Sequence, residues 1–410
     1  MLRLVRLAAR NLARYWRRTL LTSGLMVLGL VAVLLFVSVS GSFQRLIVGQ
    51  ITDAMLGHLQ VHARGYVASI DNLPLNLNMK PDTVAAVERA LGETPGVAAW
   101  SPRLKFGAMF SNYTETTSIR LNGVLPAREA ATVPLLPGRL LERGSAPALL
   151  EPGGILVPEI LARGMGLAVG DPVVLVATNL AGSVNGKTFT VAGVLGDVTG
   201  PGGRDGYVHL DDARALLRLE QPEVSEIAVR LSDPDALAAT RARLVRALAG
   251  HGAPLEVHTW EGLSPFANIA RMIDVLDVFI RVLLVGIVLI AVMNVMIMAV
   301  YERIREIGTI AAIGTRPRRI LGLFVYEGLL LGLIGAAVGT VVSLILVWLL
   351  NLYPVHFTFG RDQALVLAPT LAPVDVLAIA GIVVLVAAAA SLQPAWKAAR
   401  MDPIEALRRV

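Results

Sequence analysis

Four charges fall within the five residues Glu302-Arg303-Ile304-Arg305-Glu306, between two apolar stretches of membrane length. The chain thus switches from hydrocarbon-compatible to densely charged within one helical turn, then returns to apolar residues in Ile307-Gly308-Thr309-Ile310-Ala311-Ala312-Ile313-Gly314. Such a run suits an amphipathic helix held just outside the bilayer, whose charged face a second protein can read. Two polar residues lie inside the apolar stretches: Asn294, late in one, and Glu327, early in the next. An ionisable group in hydrocarbon is costly and is by default a functional candidate. Both lie towards the charged loop, so Glu327 can instead reach the interface or pair with an arginine, and Asn294 can bond across to another helix. No succession of Asp, Glu and His crosses the apolar stretches, which speaks against a proton relay or ion pathway.

Other chemistries fail on spacing. Ala181-Gly182-Ser183-Val184-Asn185-Gly186-Lys187-Thr188 ends like a phosphate loop, but Ala181 stands where the first Gly is needed. A strand-like run, Phe189 to Leu195, follows where a helix N-terminus should face the phosphates, so a hairpin turn is expected. His58, His62, His209, His251, His258 and His356 show no HExxH spacing, and no serine stands in a G-x-S-x-G elbow; no metal ligand set and no catalytic residue are predicted. Gly200 to Gly206 reads as a flexible loop tip. With no cysteine there is no disulfide framework or thiol chemistry. The net charge of +6 reflects arginines clustered beside apolar runs, which indicates a membrane surface and no nucleic acid.

The elements that must position these residues follow from composition and periodicity. At 410 residues, 55% hydrophobic and 17% charged, with a mean hydropathy of +0.64, the chain divides into membrane and water-exposed parts. A bilayer core of about 30 Å needs roughly 20 apolar residues. Four spans qualify, at 19–40, 278–300, 320–350 and 374–393. Arg3, Arg6, Arg10, Arg14, Arg17 and Arg18 precede the first; Arg303, Arg305, Arg316, Arg318 and Arg319 follow the second; Lys397, Arg400, Arg408 and Arg409 follow the fourth. The positive-inside rule therefore places both termini and the 301–319 loop in the cytoplasm, and 41–277 and the 351–373 loop outside. Residues 1–18 resemble the basic region of a signal peptide, but the apolar run is too long for a signal core, so an uncleaved anchor is expected. Leu4, Leu7, Ala8 and Leu12 form one face of an amphipathic helix lying in the interface, with the arginines around the other. Residues 394–410 form a cytoplasmic tail.

The external segment is large enough for its own core. Phe43, Leu46, Ile47, Gln50, Ile51, Ala54 and Met55 recur at helical spacing, as do Leu263, Phe266, Ile269, Ala270, Ile273 and Leu276. The first and second spans thus continue as stalk helices at 41–56 and 262–277. Between them, 57–124 and 225–261 read as an α+β subdomain, and 125–224, dense in Gly and Pro with short apolar runs, as an inserted β-rich one. The fold class is membrane α-helical, with four transmembrane helices and a large α+β extracytoplasmic domain containing a β-rich subdomain. Gly328, Gly332, Gly335 and Gly339 line one face of the third span, for dimerisation or for packing within one subunit.

This layout, with Glu302-Arg303-Ile304-Arg305-Glu306-Ile307-Gly308, Ala312-Ile313-Gly314 and the closing Pro394 to Leu407 run, resembles the FtsX/MacB-type ABC transporter permeases. The outer runs Gly123 to Glu129, Gly154 to Ala162, Gly170-Asp171 and Gly206 to Leu217 are similar to the lipoprotein-releasing LolC/LolE permeases of that family. The resemblance implies a bacterial inner-membrane dimer with an identical or homologous second permease, seated on two copies of a cytosolic ABC ATPase that supplies ATP and Mg²⁺ binding. It implies a non-catalytic subunit with no cofactor of its own. It assigns contact with the ATPase to Glu302, Arg303, Arg305, Glu306, Ile307, Gly308, Ala312, Ile313 and Gly314. For a lipoprotein cargo drawn from the outer leaflet, Phe43, Leu46, Ile47, Ile51, Phe266, Ile269, Ile273 and Leu276 would border an acyl-chain cavity. A MacB-like tripartite efflux pump with a periplasmic adaptor, or an FtsX-like mechanotransmitting regulator of a periplasmic enzyme, are the alternatives.

Overall fold

The computed structural model describes residues 2–14, 16–143, 150–196, 204–250, 254–263, 266–353, 355–359 and 362–400. The closing motif beyond Arg400, Gly200 with its next three residues, and the side chains of Arg3, Leu4, Leu12, Arg17, Arg18 and Ile269 lie outside this description. In chain order the first elements are α1 (Leu2–Arg14), α2 (Trp16–Ile51), β1 (Leu59–Ala63), α3 (Pro81–Glu93), β2 (Val97–Ser111), β3 (Thr116–Val124), α4 (Pro126–Thr132) and β4 (Leu140–Arg143). There follow β5 (Gly154–Pro158), α5 (Glu159–Gly164), β6 (Pro172–Thr178), β7 (Val184–Leu195), β8 (Gly206–His209), α6 (Leu210–Leu217), β9 (Glu226–Leu231), α7 (Leu237–Leu248) and β10 (Leu255–Thr259). The chain closes with α8 (Phe266–Glu302), α9 (Ile304–Ala312), α10 (Pro317–Leu352), β11 (Val355–Phe359), β12 (Asp362–Leu367) and α11 (Pro373–Ala399). It divides into two compact units, one of residues 1–45, 272–357 and 364–410, the other of 46–271 and 358–363.

The first unit is helical. Among the described residues four helices are long and apolar enough to cross a membrane, matching the four spans read from hydropathy. Prolines at the first positions of α10 and α11 supply the helical φ and remove an N–H that would have no partner there. The glycine face of α10 is used within the chain. A Cβ on Gly328 would lie 2.6 Å from the Ser391 Cβ and one on Gly332 2.9 Å from the Ala387 Cβ of α11; on Gly335 and Gly339 it would meet Met26 and Leu30 of α2 at 2.8 and 2.9 Å. Of the two roles open to these glycines, packing inside one subunit takes all four, because helices in lipid gain from close contact that small residues permit. Helix α11 carries Pro394 buried inside it and continues to Ala399, so the first part of the expected tail is helix. The 351–373 loop contains the hairpin of β11 and β12.

The second unit is built on a ten-stranded sheet in the order β10-β1-β9-β2-β3-β8-β5-β7-β4, with β6 joining β2 and β7. That extra pairing closes a ring, β2-β3-β8-β5-β7-β6 and back to β2, which leaves those strands without free edges. Alternate residues of its strands, Leu104, Phe106 and Phe110, Ile119 and Leu121, Ile155 and Val157, Val173 and Leu175, Phe189 and Val191, fill one core. A second core gathers Leu59, Val61, Val87, Leu91, Ile227, Val229 and Leu244 where α3 and α7 cover β1, β9 and β10. The 15-residue β2 serves both: its start pairs with β9, its end with β3 and β6. The boundary expected near residue 124 therefore moves back into β2, since the ring takes the end of β2 and all of β3. The phosphate-loop lookalike is the β6–β7 hairpin turn, with Gly182 at φ +78° and Lys187 ion-paired to Asp212.

Candidate functional site

The charged loop folds as α9, separated from α8 by a break at Arg303, whose φ of −106° and ψ of 17° leave the helical path. The break divides the predicted residues by direction. Arg303, Ile307 and Gly308 turn inward, together with Ile304, which was not among them, and Ile307 joins Ile320 and Phe324 in the core of the helical unit. Glu302, Arg305, Glu306, Ala312 and Gly314 are exposed, and so is Ile313, at 80%. Ile310 is exposed as well, so two isoleucines lie beside exposed charges. Gly314 has a conformational role: its φ of +92° follows the last helical turn, its N–H reaches the Ala311 carbonyl at 2.9 Å, and the Thr315 N–H reaches that of Ile310 at 3.3 Å. This is the Schellman cap, which satisfies carbonyls that a helix end leaves open.

Arg303 and Glu327 form an ion pair inside the helical unit. Arg303 is 5% and Glu327 2% exposed; Arg303 Nη1 donates to Glu327 Oε1 at 2.9 Å and Oε2 at 3.3 Å. Asn11 of α1 donates its Nδ2 to Glu327 Oε1 at 2.8 Å. One carboxylate thus gathers the turn before α9, the inner part of α10 and the N-terminal helix. Charge neutralisation and two donors make a buried carboxylate tolerable. Of the roles open to Glu327, the structure takes the pairing with an arginine; Asn11 was not anticipated, although it is the one uncharged polar residue among the first fourteen. Asn294 is not part of this cluster: it lies on an exposed side of α8.

The stalk residues separate into two groups. In the helical unit, Phe43, Ile273 and Leu276 line a crevice of about 470 Å³ with Phe36, Val39 and Ile280, apolar apart from Ser40, Gln44 and Asp277. Ser40 Oγ donates to Asp277 Oδ1 at 3.2 Å, and Arg281 Nε lies 2.7 Å from Asp277 Oδ2. These polar groups hold α2 beside α8 while the remaining lining stays apolar. In the second unit, Ile51 and Phe266 pack with Trp260, Ala54 and Met55, and Ile47 lies against that cluster. Leu46 is half-buried.

A second buried ionic cluster, in the sheet unit, was not anticipated. Arg103 lies between Glu129, at 2.7 Å, and Glu226, at 3.0 Å; Lys105 Nζ is 3.0 Å from Glu226; and His62 Nε2 is 3.4 Å from it. The His62 ring stacks on Tyr66 with centroids 5.2 Å apart. Burial alone would raise the Glu226 carboxyl, but Lys105, the bond to His62 and Arg103 together hold it well below the usual carboxylate range. Burial pushes His62 down, against the opposing pull of Glu226. Burial also raises the nearby Tyr207 hydroxyl to about 12. Strand alternation gave no signal here, because Arg103 alternates with the core residues Leu104 and Phe106, and Glu226 with Ile227 and Val229, so both occupy positions that the pattern gives to polar side chains although both are buried.

Comparison with known proteins accords with this architecture. Residues 19–247 match the MacB-like periplasmic core domain and residues 278–403 the FtsX-like permease C-terminal domain. The lipoprotein-releasing system transmembrane protein LolC of Neisseria meningitidis is 27% identical over 403 residues, covering 93% of this chain and 91% of its own. The macrolide export ATP-binding/permease protein MacB of Escherichia coli K12 is 30% identical over 193 residues, 46% of this chain and 28% of that protein. The extracellular domain of the ABC-type transporter YknZ from Gram-positive bacteria aligns at a TM-score of 0.34 and 16% identity, covering 49% of this chain and 98% of that one. With more than half of its length matched by the first of these families and most of the remainder by the second, the chain belongs to the ABC transporter permeases of the LolC/MacB/FtsX type, carrying a MacB-like periplasmic core domain and an FtsX-like permease domain.

Proposed function

We propose that the chain is the non-catalytic permease subunit of an inner-membrane machine that extracts lipoproteins from the outer leaflet, driven by a separate cytosolic ATPase. Both termini and α9 would face the cytoplasm, as the arginine distribution favours. The observation that carries the cargo is the crevice between α2 and α8: a volume of about 470 Å³, lined by Phe36, Phe43, Ile273 and Leu276, suits acyl chains better than a polar solute. The end-to-end match with a LolC protein supports the same choice. Two ATPase copies, holding ATP and Mg²⁺, would dock on the outward face of α9 through Glu302, Arg305, Glu306 and Ile313. A second permease, identical or homologous, would complete the assembly.

A photo-crosslinker introduced at Phe43 or Ile273 in the assembled complex tests the cargo assignment. Capture of lipidated protein at both positions is the expected outcome. Labelling by bulk phospholipid alone, with a soluble adaptor caught on the sheet unit, would move the assignment to an efflux pump of the MacB kind. The partial match with MacB, which spans 46% of this chain, keeps that second reading in view.

A further inference from the structure

We propose that the groove between α1, the start of α2 and α10 is a binding site for one anionic phospholipid, its acyl chain in the groove and its phosphate on the arginine row of α1. The groove has a volume of about 450 Å³ and an apolar lining that includes Ala9, Ala13, Trp16, Leu20, Leu330 and Ile334. Ala9 and Ala13 leave space that longer side chains would fill. Arg6 and Arg10 are exposed, lie one turn apart and stand three residues before Ala9 and Ala13, so they form a row on α1 beside that strip. Trp16, exposed at the junction of α1 and α2, has the amphipathic ring that settles at the headgroup level.

An apolar slot edged by fixed cations is complementary to an amphiphile with an anionic head. A second copy of the chain fits less well: a two-fold contact through this groove would set one arginine row against the other. Placement in the cytoplasmic leaflet rests on the orientation given under Proposed function, but the site itself does not. Because Asn11 of α1 bonds to Glu327, a lipid held here would also steady the helix that completes the Arg303–Glu327 cluster.

The test uses the full-length protein in nanodiscs of phosphatidylcholine carrying a minor fraction of either brominated phosphatidylglycerol or brominated phosphatidylcholine. The readout is the Trp16-dependent part of the fluorescence, obtained by difference from W16F. The brominated anionic lipid should quench it several-fold more strongly than the zwitterionic one at equal mole fraction. R6A and R10A should each lower that preference about five-fold, the ratio that about 1 kcal/mol per charge implies. A13L should abolish it by filling the groove, and the two surface arginine variants keep the test decisive if A13L folds poorly. Equal quenching by both lipids, or a preference unmoved by R6A and R10A, overturns the site. So does the absence of quenching by either lipid together with cross-linking between copies at Trp16. None of these outcomes depends on cargo or ATPase, so the site and the proposed function can fail separately.

Discussion

At the scale of single residues, Arg303 and Ile313 lie ten positions apart in one charged loop and face opposite ways, the first buried and the second exposed. Arg303 is enclosed with Glu327, and removing one partner of a buried pair leaves an uncompensated charge, a loss of about 3 to 5 kcal/mol. R303M and E327Q should each lower the thermal midpoint of the detergent-solubilised protein markedly. N11A, which removes one donor to a charged group, should cost only about 1.5 to 3 kcal/mol. A smaller loss in E327Q than in N11A would show that the carboxylate is not the organising member. Ile313 and Arg305 should behave differently: I313D should change the stability by no more than about 0.5 kcal/mol, as exposed substitutions do, and R305E by about 1 kcal/mol, the scale of a surface ion pair. Retention of the co-purified ATPase should nevertheless fall at least ten-fold, and a full complement of ATPase on both variants would remove α9 from the docking surface. The division was partly legible in the sequence. Ile304, Ile307 and Gly308 fall on one helical face, but the turn of Arg303 inward depends on Glu327 and Asn11, which are distant in sequence.

At the scale of elements, helix and strand positions followed periodicity closely wherever a single period ran unbroken. The spans, α3, β9 and β6 are examples. What could not be read was pairing. The closure of the ring through β6 onto β2 joins residues more than sixty positions apart, and no local pattern specifies it. The glycine face of α10 shows the same limit: spacing announces close packing but not the partner, which proves to be α11 for two glycines and α2 for the other two. Accordingly G332L and G335L should each destabilise the detergent-solubilised protein by about 1 to 3 kcal/mol through overpacking, with oligomer size on a sizing column unchanged. Loss of a dimer with an intact thermal midpoint would instead place this face between copies. The sheet unit should be acid-labile, with two groups contributing. Both His62 and Glu226 have folded values below their ordinary ones of 6.5 and 4.5, so the stability each contributes is present above that ordinary value and is lost as pH falls below it. Tyr66, Lys105, His258 and Glu226 surround His62, so its protonation adds a cation to a cluster already neutralised. Thermal unfolding of the full-length protein should therefore decline below about pH 6.5 and more steeply below about 4.5. H62Q should flatten only the upper part of that profile, and an unchanged profile would assign the acid sensitivity elsewhere.

At the scale of the whole molecule, the helices that cross the membrane are also the ones that carry the crevice. Helix α2 runs unbroken from Trp16 to Ile51 and α8 from Phe266 to Glu302, and the latter ends one residue before the turn that buries Arg303. Unbroken helices are stiff over this length because every internal N–H and C=O is bonded along the axis, so a displacement of α9 has a direct mechanical route to the residues that line the crevice. If cargo must enter between α2 and α8, joining them should stop release. The absence of native cysteine makes the experiment clean. Ser40 Oγ and Asp277 Oδ1 lie 3.2 Å apart across the two helices, so S40C combined with D277C places two thiols within reach of each other. Oxidised and assembled with its ATPase, the double variant should lose lipoprotein release at least ten-fold. Reductant should restore it, and each single variant should remain active under both conditions. Gel shift with a thiol reagent reports how much bridge has formed. Undiminished release by fully bridged protein would show that cargo does not pass between these helices, and the crevice would then be no more than a lipid-filled seam.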